Sequence, residues 1–225
     1  MPGIPTHSRG FDIEAARAHL ARRDRKFARW LDRIAPIAAD PRWQEPFDPV
    51  DALARAILYQ QLSGRAAGTI VARVEQGIGS ERLHAGTLDR LDDDALRACG
   101  VSRNKILALR DLCARELRGE VPGVDDMLGL RDEEIVNALV PIRGIGLWTV
   151  QMMLIFRLGR PDVLPVDDLG VRRGAQQIDR LDDLPKPREL AERGERWGPF
   201  RSYAALALWR ISDLAAVAPV KRSQE

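Results

Sequence analysis

A chain of 225 residues, 45% hydrophobic and 30% charged, has the composition of an ordinary globular protein, long enough for one large domain or two small ones. Its formal net charge of +2 permits a local basic patch without arguing for nucleic-acid binding. Two cysteines and three scattered histidines exclude a disulfide framework and give no zinc or iron–sulfur ligand set. Among the 35 basic residues only Lys26, Lys105, Lys186 and Lys221 are lysines, a bias that reads as a GC-rich genome rather than as phosphate chemistry. The opening MPGIPTHSRG lacks the apolar centre of a secretory signal, and no apolar run approaches a membrane span. The expectation is a monomeric cytoplasmic protein, nucleoid-associated if it binds DNA, that makes no membrane contact.

In chain order, residues 1–10 read as a disordered tail. A helical pattern runs from Phe11 to Ile37, with Leu20, Phe27, Leu31 and Ile34 on one side and the charges of ARRDRKFARW on the other. Asp48-Pro49 is a helix start, a capping carboxylate followed by proline at the first helical position. That helix carries Val50, Leu53, Ile57 and Leu58 and ends near Ser63-Gly64. Another follows through Ile70 and Val74, and DDDALRACG makes a short helix closed by Gly100. Ser102 caps a helix through Ile106, Leu109 and Leu112 that stops at Gly119. Cys99 and Cys113 fall in apolar helical patterns and read as buried structural thiols.

Residues 132–140 form a helix with an acidic first turn, and a longer one runs from Leu147 to Leu158, ended by Gly159. RPDVLPVDD is a proline loop whose DVLPV is the one plausible strand, too short to build a sheet. Short helices follow, and Pro199 opens a last one through Trp209 to about Val217, before a tail at 218–225. The chain therefore reads as all-α, with two helical subdomains flanking a cleft. Residues 48–120 make one; 11–47 and 121–217 make the other.

Between two of these helices stands LVPIRGIGLWTV, residues 139–150. Glycine permits positive φ and removes the Cβ, so backbone N–H groups can approach a ligand closely. The turn opens a helix whose first amides have no internal acceptor and which favours an anion. Ile142 and Ile145 would pin the turn, Gly144 and Gly146 would bare the backbone, and Thr149 would add a hydroxyl. The motif suits a phosphate without reading a base, or else a hairpin whose glycines serve close packing.

Asp168 follows Gly146 by 22 residues and adjoins Asp167 just after LPV. Side chains one residue apart on a helix diverge by about 100°, so one acid can cap a helix while the other faces a cleft. A carboxylate beside a phosphate-gripping hairpin repels DNA, and such a conflict marks a candidate active site.

Together these pieces resemble the helix-hairpin-helix DNA glycosylase superfamily, and within it the bacterial 3-methyladenine DNA glycosylase II branch. The resemblance rests on AILYQQLSGRAA at 56–67, GVSRNKILALRDL at 100–112, IRGIGLWTVQMML at 142–154, VLPVDDLGVRRG at 163–174 and WGPFRSYAALALWR at 197–210. It implies two helical subdomains without the β-rich amino-terminal domain of some relatives. It also implies flipping of an alkylated purine such as 3-methyladenine or 7-methylguanine out of double-stranded DNA. Hydrolysis of the N-glycosidic bond follows, with no cofactor and no iron–sulfur cluster. It places the catalytic acid at Asp168, with Asp167 more structural.

The family's wedge position falls at Gln61. The alternative for Gln60 and Gln61 is a helix end bonded to loop backbone. Trp148 and Trp209 match pocket aromatics, Met152 stands where some relatives have tyrosine, and Tyr59 is a further pocket candidate. Relatives that cleave the backbone carry a lysine at the Trp148 position, so its absence implies no lyase activity. The resemblance also leaves room for a monovalent cation on the 142–147 carbonyls.

Ser102 and Lys105 are candidates for a second phosphate contact. They lie on a helix face that also carries Arg103, Arg110, Arg115 and Arg118. Two other readings remain: a non-catalytic DNA-binding module that uses the hairpin only for grip, and a glycosylase for other damaged bases.

Overall fold

Several helix starts are set by side-chain acceptors placed ahead of the helix. The computed structural model describes residues 9–217; the expected tails fall outside these, except Arg9 and Gly10. Those two are held, Arg9 Nε donating to Arg157 O at 2.8 Å and Gly10 N to Leu158 O at 3.4 Å. Asp12 caps α1 (Ile13–Arg23). Asp24 ends α1 and caps α2 (Arg25–Leu31), accepting the Lys26 and Phe27 amides at 3.1 Å each. The single helix expected over Phe11–Ile37 is thus two, and the second stops at Leu31.

Asp48 and Pro49 open α3 (Pro49–Tyr59), and Ser63 opens α4 (Gly64–Ile78). The short α5 (Ala85–Leu88) and α6 (Asp93–Ala98) precede α7 (Arg103–Leu117). Then come α8 (Val124–Gly129), α9 (Asp132–Leu139), α10 (Leu147–Phe156), α11 (Leu169–Asp179), α12 (Pro187–Gly194) and α13 (Arg201–Val217). No strand occurs among the described residues, and DVLPV is loop. Pro161 precedes it and Pro165 lies within it, and proline cannot donate to a ladder.

The chain divides into two units, and the division falls inside α10, after Val150. Residues 45–150 form the first, so 121–150 group with 45–120 and not with the later helices as expected. The cause lies in the hairpin's own contacts: Arg143 N donates to Asp111 Oδ2 at 2.8 Å, and Gln60 Nε2 donates to Gly144 O at 2.7 Å. In this unit α7 packs against α3, α5 and α6, and α3 packs against α4. Leu53, Ile57 and Leu58 of α3 are fully buried, with Val74 of α4 and Leu112 of α7. Each such side chain contributes about 1.5–3 kcal/mol by leaving water. Cys113 is buried here and its thiol is pushed up to about 11 by that burial, whereas Cys99 is only half-buried.

Residues 9–44 and 151–217 make the second unit, whose core joins Leu20, Phe27 and Leu31 to Val171, Ile178, Trp197, Leu208 and Ile211. Its closest contact is α11 against α13. A Cβ on Gly174 would lie 2.2 Å from Leu208 O, so only glycine lets the backbones meet there. Trp197 is completely buried, stands edge-on to Phe27 at 5.3 Å and donates from Nε1 to Asp24 Oδ2 at 3.0 Å. Arg193 pairs with that Asp24 and with Asp179.

Candidate functional site

The turn between α9 and α10 uses its two glycines differently. Gly144 has φ +80°, and a Cβ on it would sit 3.2 Å from Ala108 Cβ, so it serves both a left-handed turn and a close approach to α7. A Cβ on Gly146 would meet open space. Gly146 therefore has no packing duty and leaves bare backbone at the start of α10, as a ligand-facing position requires. Ile142 and Ile145 are buried and fix the turn. Ile142, a candidate DNA contact, has a side chain only 1% exposed; its N–H donates to Leu139 O and its carbonyl accepts the Ile145 N–H. Thr149 is half-buried in the first turn of α10. Asp111 anchors the turn from α7, accepting Arg143 N–H and Arg115 Nε at 2.8 and 3.1 Å. Burial acts to raise its pKa, but these donors outweigh it and hold it below the usual aspartate value.

Beside the turn lies a groove of about 360 Å³ lined by Gln60, Gln61, Ser102, Asn104, Arg143 and Gly144. Gln60 bonds to backbone, through Nε2 to Gly144 O, while Gln61 is exposed with φ +57°. Ser102 caps α7 through its backbone, and its side chain makes no capping bond. Lys105, the other candidate phosphate contact, donates from Nζ to Leu58 O at 2.7 Å and Gln60 O at 2.8 Å. Three arginines of α7 and its C-terminal cap likewise bond internally. Arg110 bonds to Leu91 O and Asp93, Arg115 to Asp111 and Glu120, and Arg118 to Glu120. Tyr59 is exposed, its hydroxyl near Gly68 of α4, and Trp148 is 52% exposed.

In the second unit, Asp168 itself is the cap of α11. Its Oδ1 accepts Val171 N–H at 2.9 Å and Trp209 Nε1–H at 2.7 Å. The expectation that Asp167 is the more structural of the pair is therefore corrected: Asp167 is exposed, and half-buried Asp168 holds the cap. Both donors converge on a single oxygen of that carboxyl group. Gly170 makes this possible, since a Cβ there would fall 2.7 Å from Trp209 Cδ1 and 3.2 Å from Asp168 Oδ1. Trp209 stacks on Phe156, ring centres 5.7 Å apart, and the Arg42 guanidinium covers Phe156 at 4.4 Å. Met152 is half-buried on α10.

Sequence reasoning missed the clamp on the loop that leads to Asp168. Ser202, completely buried, donates to Arg160 O at 2.6 Å and accepts Val163 N–H at 2.9 Å. Arg201 grips Asp162 with Nε and Nη2, both at 2.7 Å. Burial works against the Asp162 charge, but the Arg201 bonds prevail and keep its pKa below the usual value. The serine after an arginine at the start of an apolar helix is the only local sign of this pairing.

A family model described as HhH-GPD superfamily base excision DNA repair protein matches residues 54–200. The chain is 34% identical to DNA-3-methyladenine glycosylase 1 of Schizosaccharomyces pombe, over 90% of this chain and 89% of that protein. Among solved structures it resembles the S. pombe 3-methyladenine DNA glycosylase in complex with abasic DNA, with TM-score 0.77, 33% identity, and coverage of 91% and 99% of the two chains. It also resembles a DNA-3-methyladenine glycosidase from Bacillus halodurans, with TM-score 0.79, 32% identity and 88% of each chain covered.

Proposed function

The chain belongs to the HhH-GPD superfamily of base excision DNA repair proteins, and within it we propose a monofunctional glycosylase that removes alkylated purines from duplex DNA, acting as a cytoplasmic monomer at the nucleoid. The observation that carries this reading is the carboxyl group of Asp168. Two N–H donors fix one of its oxygens, yet the residue is only half-buried. A carboxylate held this rigidly needs little reorganisation when charge develops opposite it.

Binding would begin at Gly144 and Gly146, where bare amides at the start of α10 take a phosphate without reading sequence. Ser102 is the second phosphate candidate, at the start of α7. Gln61 would fill the space left by the extruded nucleotide, and flipping itself costs a few kcal/mol, less at a damaged pair. An N3- or N7-methylated purine carries positive charge, so it leaves readily and needs little protonation. The sugar becomes oxocarbenium-like at C1′. Asp168 would stabilise that charge and orient the attacking water, as carboxylates do against the same kind of transition state in glycosidases. Trp148 and Trp209 would offer faces that attract a cationic base by about 0.5–2 kcal/mol.

A lyase step needs an amine nucleophile. By the family resemblance, Trp148 would stand where such a lysine is found. Lys105 is engaged with two carbonyls, and Lys26 pairs with Asp179. The product expected is an intact strand with an abasic site. The test is to incubate duplexes bearing 3-methyladenine, 7-methylguanine, 1-methyladenine or hypoxanthine with the protein and identify freed bases by mass. Release of the methylated purines without strand cleavage is expected. No release from any duplex would remove the reading, and strand cleavage would remove its monofunctional part.

A further inference from the structure

The last carbonyls of α3 have no N–H donor within the helix, and a side chain from another helix supplies one. Lys105 reaches from the first turn of α7 to Leu58 O at 2.7 Å and Gln60 O at 2.8 Å. This is an unfavourable place for a lysine in its own helix, because the positive end of the dipole repels it. The same charge is favourable at the C-terminal end of α3. Lys105 is half-buried, and burial lowers its pKa, so the position costs solvation as well.

What the lysine holds is the base of a short exposed tip. Gln60 is fixed twice, through its carbonyl to Lys105 and through Nε2 to Gly144 O at 2.7 Å. Next come Gln61, in the left-handed region at φ +57°, and Leu62, an exposed apolar residue at 40%. Ser63 then anchors the far side by accepting Ala66 N–H at 3.3 Å as the cap of α4. The carbonyl that Gln60 grips belongs to the hairpin turn, which Asp111 ties in turn to α7.

We propose that Lys105 and Gln60 are positioning residues that brace the Gln61–Leu62 tip against the hairpin turn. The spacing between the phosphate grip and the inserted side chain is then set before DNA arrives. Binding energy gained at the hairpin is delivered to insertion rather than spent on ordering a strained tip. The insertion role presupposes the glycosylase activity proposed above, but the brace itself does not.

Two measurements on the full chain separate them. The first is amide hydrogen exchange of residues 60–63 in the free protein, for wild type, Lys105→Met and Gln60→Ala, beside thermal unfolding. Each variant is expected to speed exchange at the tip by about tenfold or more while its unfolding midpoint stays within a few degrees. Lys105→Arg, which keeps a donor, should restore slow exchange. The second is single-turnover base release combined with 2-aminopurine fluorescence beside the lesion. Lys105→Met should slow release and unstacking by about tenfold, with affinity for undamaged duplex unchanged within about twofold. Added to Gln61→Ala, it should cause no further loss, because the residue it positions is gone.

Unchanged exchange at the tip in both variants would overturn the brace. Losses that multiply with Gln61→Ala would show that Lys105 acts elsewhere, and would overturn it too. If wild type releases no base, the functional reading fails and the exchange result alone decides the brace. If Lys105→Met does not fold, Gln60→Ala carries both arms.

Discussion

The indole of Trp209 donates to Asp168 Oδ1 at 2.7 Å, and that same oxygen accepts the Val171 amide at 2.9 Å. A helix cap and a side-chain bond thus converge on one atom and set the carboxylate plane. The stacked Phe156 ring holds the indole, and the absence of a side chain on Gly170 admits it. The proposed catalytic acid is therefore built from α11 and α13 together.

Trp209→Phe keeps an aromatic ring against Phe156 but removes the donor. Base release is expected to fall about tenfold in kcat with KM nearly unchanged, and stability to fall by about 0.5–1.5 kcal/mol. Single-turnover kinetics and thermal melts measure both. A pure rise in KM would mean that Trp209 serves only to bind the base.

The two hairpin glycines should respond differently to alanine. Gly146→Ala puts a methyl group into open space, so the unfolding midpoint should hold while duplex affinity drops about tenfold. Gly144→Ala forces a side chain onto φ +80° and against Ala108, so it should lose about 1–2 kcal/mol of stability as well. Equal effects on binding and stability in both variants would contradict the assignment of open backbone to Gly146.

Asp24 predicts a pH signature for the second unit. Burial acts to raise its pKa, but Arg193, the Trp197 indole and the Phe27 amide outweigh it, so the folded value lies below the ordinary 3.8. A depressed carboxylate contributes stability that is complete above 3.8 and drains away as pH falls through the lower folded value. Asp24→Asn should therefore cost about 3 kcal/mol at pH 7, and the gap to wild type should narrow below pH 4. Melts from pH 7 down to pH 3 test this; a gap independent of pH would contradict it.

Legibility in the sequence followed the range of each interaction. Asp48-Pro49, Ser102 and Gly119 mark helix ends through bonds or φ values within a few residues, and they stand where local chemistry puts them. The break at Asp24 was hidden because ARRDRKFARW favours helix on both sides, and the carboxylate is committed to Trp197 and Arg193 far along the chain. The hairpin was legible as a turn with exposed backbone. Its grouping with the earlier helices was not, since that depends on Asp111 and Gln60. Lys105 looked like a free cation because its acceptors, Leu58 O and Gln60 O, are backbone atoms on another helix. The Asp167-Asp168 pair was legible as a cap plus a second acid. The cap bond to Asp168 is itself local, whereas its second donor, Trp209, lies far along the chain where no local pattern reveals it.

The most direct measurement is single-turnover release of 3-methyladenine from a duplex by wild type and Asp168→Asn, with duplex affinity and thermal unfolding followed alongside. Asparagine retains an oxygen for the Val171 and Trp209 donors and removes only the charge. Release is expected to fall by about a hundredfold or more, with affinity equal or tighter and the unfolding midpoint within a few degrees. Release at the wild-type rate by Asp168→Asn would contradict the account.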